Sequence, residues 1–183
     1  NVTFTGVVGG TTALDDVILT SATNVTATTF SSATLTQSAG SGTTTLNGAV
    51  STTAAGGISL TGTNLALNNT LTTTGGGTVT VSQSGTATLA AAGDIISDGA
   101  VSLTATGGIS TAGDVITTDD DVTFASATTL TGPVSVTTGA GGAGNITFGS
   151  TLNGAQDLTL LAGTGNVTFT GVVGGTTALD DVI

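Results

Sequence analysis

The only side chains in this sequence that could bring charge to a reaction are aspartates. Eleven occur, at positions 15, 16, 94, 98, 114, 119, 120, 121, 157, 180 and 181, and there is no Glu, His, Lys, Arg or Cys. The clusters Asp15-Asp16 and Asp119-Asp120-Asp121 have the oxygen-donor chemistry that calcium takes. The pattern around them argues against such a site, because no glycine-rich GGxGxD nonapeptide is present and no Glu supplies a bidentate partner. Solvated turn carboxylates are the better reading, and no metal ligand is assigned. Two carboxylates suffice in principle for glycoside hydrolysis. Carbohydrate sites of that kind also use aromatic platforms and cationic groups, the latter stabilising charge that develops in the transition state. This chain has no Trp, Tyr, His, Lys or Arg to build one. No catalytic residue and no cofactor-binding residue is assigned, and the expectation is a protein that is not an enzyme.

The same alphabet restricts partners. A net charge of -11 with no cation leaves nothing to contact phosphate, so nucleic acid is excluded and an anionic membrane surface is disfavoured. No apolar run approaches the roughly 18 residues that a transmembrane helix needs, so no membrane insertion is expected of this stretch. The absence of Cys removes disulfides and thiolate metal sites. Asn-x-Thr sequons stand at Asn1, Asn24, Asn68, Asn145 and Asn166, and most coincide with a recurring structural pattern that accounts for them.

That pattern points to the elements. Gly, Ser and Thr abound, yet Val, Leu, Ile and Phe together exceed the roughly 20% below which chains fail to form a core. They are also placed with a period of two, the mark of short strands with one buried face. One series comprises Val2-Thr3-Phe4, Leu65-Ala66-Leu67, Val122-Thr123-Phe124, Ile146-Thr147-Phe148 and Val167-Thr168-Phe169. A second comprises Val17-Ile18-Leu19, Ile58-Ser59-Leu60, Val79-Thr80-Val81, Val101-Ser102-Leu103, Val134-Ser135-Val136 and Leu158-Thr159-Leu160. Glycine-rich turns such as Ala55-Gly56-Gly57 and Gly139-Ala140-Gly141-Gly142 lie between them, and no stretch carries helical periodicity with caps. Steps of about 20 to 24 residues within the second series predict a solenoid with two strands and turns in each rung. The step from Val101 to Val134 is longer and contains Val115-Ile116, which leaves seven or eight rungs per 165 residues.

Residues 1–18 return without change at 166–183, an offset of 165. The repetition predicts one tandem unit over 1–165 and the start of the next over 166–183, within a longer array. Stacking the rungs places Phe124, Phe148 and Phe169 in an inward aromatic ladder, with Phe169 equivalent to Phe4. Asn1, Asn24, Asp121, Asn145 and Asn166 each directly precede a strand, where left-handed backbone at a corner is expected. Thr-x-Thr triplets such as Thr34-Leu35-Thr36 and Thr78-Val79-Thr80 raise the possibility of an ice-binding face. Uneven rung lengths and their scatter over both series argue against one continuous flat face, and outward Thr on a strand is the plain explanation.

The runs GNVTFTG, TTTLNGAVSTTAAGGISLTG, GGTVTVSQSGTATLAAAGDI and GAVSLTATGGIS resemble the β-strand repeat regions of very large bacterial surface proteins in the style of filamentous haemagglutinin-like adhesins. The resemblance implies an all-β, right-handed parallel β-helix and an extracellular or cell-surface location. It also implies a rod, filament or stalk that holds an adhesive or protective element away from the cell. Expected partners are further copies of the same repeat, in the same chain or in neighbouring subunits. The competing function is an adhesin module recognising glycan or protein on one solenoid face, with ice binding a minor third.

Overall fold

The computed structural model describes residues 1–183. Its elements are short strands without a helix, and they pair in parallel with the strands of neighbouring rungs. They form a three-sided β-solenoid. Face I is an eight-stranded sheet running from Val2–Phe4 through Val25–Ala27, Thr43–Leu46, Asn64–Leu67, Ala87–Leu89, Ile109–Thr111 and Thr128–Leu130 to Leu152–Asn153. Face II carries Val50–Thr52, Leu71–Thr73, Ile95–Ser97, Val115–Thr117, Val134–Thr137 and Leu158–Leu161. Face III carries Leu14–Leu19, Ile58–Gly62, Val79–Gln83, Val101–Ala105, Val122–Phe124, Ile146–Phe148 and Val167–Phe169. The long strand Phe30–Gln37 crosses the corner between faces II and III, pairing with Val50–Thr52 by its first half and with Ile58–Gly62 by its second. The whole stack has about eight turns, and the 165-residue unit within it falls between the expected seven and eight.

Each rung therefore holds three strands rather than the two expected from the sequence. The triplets are interchangeable in composition, so each series read along the chain passes from one face to another unnoticed. Ile58, Val79 and Val101 stack on face III, whereas Val134 and Leu158 stack on face II. The partner of Val101 is Val122, 21 residues on, and the long step to Val134 dissolves. True steps run from 18 residues, at Val17 to Leu35, to 24, at Thr128 to Leu152, and the corners absorb the difference.

The period of two produces the core directly. Ile58, Leu67, Leu71, Val79, Ile95, Leu103, Val122 and Leu158 are completely buried, and their columns run along the axis as one continuous apolar cluster. A single rung cannot hide its apolar edge, but a stacked neighbour covers it and completes its backbone hydrogen bonds. The aromatic ladder forms as the sequence predicts. Phe124 and Phe148 stack at 4.8 Å and 8°, and Phe148 and Phe169 at 5.3 Å and 9°.

Not all Thr and Ser face outward. On face II the second inward position is Ser32, Thr52, Thr73, Ser97, Thr117 and Thr138, all buried. Most of these hydroxyls donate to carbonyls of the corner that follows: Ser32 to Thr34 O at 2.8 Å, Thr73 to Gly77 O, Thr117 to Asp120 O and Thr138 to Gly144 O at 2.8 Å. A hydroxyl at the end of a buried strand satisfies a carbonyl that the turning backbone has removed from the sheet ladder. Glycine completes the tightest corners. Gly57 has φ 59°, and a Cβ there would collide with the Thr78 carbonyl of the next rung.

Candidate functional surfaces

The residues singled out for chemistry lie at corners, and the local hydrogen bonds show what they do there. Asp121, Asn145 and Asn166 occupy the same corner on successive rungs. Asp121 Oδ1 accepts from Asn145 N at 2.7 Å, and Asn145 Oδ1 from Asn166 N at 2.9 Å. Asn1 Oδ1 accepts from Asn24 N at 3.2 Å, and Asn24 Oδ1 from Thr43 N at 2.9 Å. These corners do not use left-handed backbone, contrary to expectation. Asp119, at φ 75°, is the one non-glycine residue with positive φ. The short side chain is selected for another reason: it accepts the first backbone N–H of the next rung, where the strand ladder has not yet begun. That requirement explains the recurrence of Asn before the strand in Asn-x-Thr.

Two other carboxylates follow the same rule. Asp94 Oδ1 accepts from Asp114 N at 2.9 Å, and Asp114 Oδ1 from Ser135 N at 2.7 Å. The second bond repairs a local slip. Val115 pairs with Val136 rather than Val134, so Ser135 N–H lies opposite the carboxylate. Asp16 accepts from the Thr34 hydroxyl at 2.7 Å. Asp98 accepts from Gly76 N at 2.8 Å and from the Thr118 hydroxyl at 2.9 Å. The Gly76 N–H, followed by the Thr118 hydroxyl, holds the Asp98 carboxyl below its ordinary pKa, because both bonds favour the charged form. Asp15, Asp16 and Asp119–Asp121 are not brought together with one another, and no group of three carboxylates converges on a point.

The surface feature that the sequence reading discounted is a column of hydroxyls. Strand pairing sets Thr36, Ser59, Thr80, Ser102, Thr123, Thr147 and Thr168 directly above one another at the outward centre of face III. On face I the equivalent column is Thr3, Thr26, Thr45, Ala66, Thr88, Ser110, Thr129 and Asn153. Variable rung length does not scatter the triplets, because insertions fall at corners and the strands stay in register. Middle residues of the triplets carried that signal, once sorted by face. Face II differs, presenting Ile96, 41% exposed, and Leu161, 47% exposed, among its outward residues.

The chain has no helix long and apolar enough to cross a membrane. No protein-family model, curated protein or solved structure matches it.

Proposed function

We propose that this chain is a structural repeat of a bacterial cell-surface rod or stalk, extracellular and without catalytic activity, whose partners are further copies of the same repeat. One observation carries the reading: a single uninterrupted core and backbone ladder runs along the whole stack, and the repeated residues 166–183 enter that stack as further rung rather than as a tail. A protein built so that each rung is completed by the next transmits length and stiffness, and its chemistry is spent on corners. The surface charge of -11 with no cation keeps neighbouring rods apart in dilute salt. The resemblance to adhesin repeat regions supports the cell-surface location. Electron microscopy of a chain containing several units tests the reading: rods lengthening by about 37 Å per unit support it, and globular or beaded particles would refute it.

A second reading, a face that engages an ordered partner such as ice, is favoured by the hydroxyl column that runs from Thr36 to Thr168 on face III, below which the exposed Ile18 takes the same position. Measurement of ice recrystallisation with the wild type and with Thr80→Lys decides it. Inhibition lost in the variant supports a binding face, and no inhibition in either protein leaves the rod.

A further inference from the structure

The two copies of the repeated segment do not occupy the same faces. Val2–Phe4 lies on face I, paired with Val25–Ala27, whereas Val167–Phe169 lies on face III, paired with Ile146–Phe148. Val8 bridges to Phe30 on face II, and its equivalent Val173 bridges to Leu152 on face I. Val17 pairs with Leu35 on face III, and its equivalent Val182 bridges to Leu158 on face II. All three anchors move by one face in the same sense. Between the copies the chain passes twenty-three faces, which is seven turns and two further faces.

We infer that successive 165-residue units join through a phenylalanine cluster that sets each unit one face around from the last, so that three units complete the axial repeat. The inference rests on the tandem-array reading and deepens it by naming the joint. Two independent ladders meet at that joint. Phe169 stacks on Phe148 and is 36% exposed, while its equivalent Phe4 packs edge-on against Phe30 at 5.4 Å and 73°. One ring obeying both sets of contacts gives a stack of Phe124, Phe148 and Phe169, closed by Phe30 of the following unit. These are all the phenylalanines in the chain, so every aromatic ring of a unit gathers at its junctions. The corner ladder closes in the same register. Asp121, Asn145 and Asn166 lead into Asn1, Asn24 and Thr43, because Asn166 and Asn1 are the same residue of the repeat.

The joint decides how the rod presents itself. Face III of one unit continues as face I of the next and face II of the one after, so no side of the rod is unique. The hydroxyl column gains two rungs across the joint, running from Thr36 to Thr168 and on through Thr26 and Thr45 of the following unit. Surface features that occur once per unit, such as Asp119–Asp121, are displayed on a three-fold screw with a repeat of about 110 Å.

The test is a chain in which residues 1–165 precede a second copy of residues 1–183, solved by crystallography or electron cryomicroscopy. The expected result is one unbroken solenoid in which the second Val-Thr-Phe triplet stacks on face III. A continuous solenoid returning that triplet to face I would overturn the rotation and leave the array standing. Two bodies separated at the joint would overturn both. In the same chain, replacement of the junctional Phe169 by Ala is expected to lower the melting temperature by about 5 °C and to open the joint to chymotrypsin. An unchanged melting curve and cleavage pattern would remove the cluster from the account.

Discussion

Faces II and III are built from the same few residue types and use them in opposite senses. Face III buries two apolar positions per strand, such as Val81 with Val79 and Phe148 with Ile146, and shows hydroxyls to water. Face II buries one apolar position and one hydroxyl, as in Leu71 with Thr73 and Ile95 with Ser97. The difference follows from what comes next along the chain. After face II the backbone turns through a corner, and Ser32, Thr73, Thr117 and Thr138 each donate a buried hydroxyl to a carbonyl of that corner. Thr is thus an outward strand residue on one face and a corner clamp on the other, with the sheet pleat deciding which.

Substitutions can break this contrast, beginning with the largest expected effect. Phe148→Ala on face III removes a ring held between Phe124 and Phe169 and should cost about 3–5 kcal/mol in chemical denaturation. A loss below about 1 kcal/mol would mean that the site collapses without a cavity. Thr73→Val on face II keeps the shape and deletes the hydroxyl. That hydroxyl donates to Gly77 O, accepts from Asp98 N at 3.1 Å and lies 3.0 Å from Ser97 Oγ. The expected loss is about 1–3 kcal/mol, since a buried carbonyl and N–H are left without partners. Thr80→Val on the outward centre of face III should stay within about 0.5 kcal/mol of wild type. Equal losses for Thr73→Val and Thr80→Val would erase the distinction between clamp and surface.

The smallest effect sharpens the corner between the two faces. Asp98 is held below its ordinary pKa by Gly76 N–H and then by the Thr118 hydroxyl. Its contribution is complete above the unfolded carboxylate range near pH 3.9 and is lost as pH falls through the lower folded value. Acid titration of stability should therefore show a slightly steeper decline below about pH 4 for wild type than for Asp98→Asn. Identical profiles would show that water, rather than the carboxylate, serves the corner.

Much of this was legible in the sequence, and the failures have physical causes. Parallel pairing, the apolar triplets and the Phe124–Phe148–Phe169 ladder follow from period and spacing alone. The third strand of each rung was missed because face II triplets such as Leu71-Thr72-Thr73 and Ile95-Ile96-Ser97 end on a hydroxyl, and periodicity of hydrophobic residues does not register a buried Thr or Ser. The hydroxyl columns were hidden for a related reason. With three similar faces per turn, spacing alone does not reveal which triplets are neighbours until the corner lengths are known. The Asn and Asp corners were located correctly but assigned the wrong work. Their ladder to the next rung is a contact about twenty residues away in sequence, as in Asn1 with Asn24 and Asn145 with Asn166, and local turn chemistry does not display it.

The central claim is that chain length converts to axial length one rung at a time. The absence of native Cys makes it directly measurable by spin labels placed at pairs of introduced cysteines on face I. Labels at Thr26→Cys with Ser110→Cys, Thr129→Cys or Asn153→Cys are four, five and six rungs apart. Dipolar distances between the label backbones should rise through about 19, 24 and 29 Å, one strand spacing per step. Distances that fail to rise in equal steps of that size would contradict the solenoid.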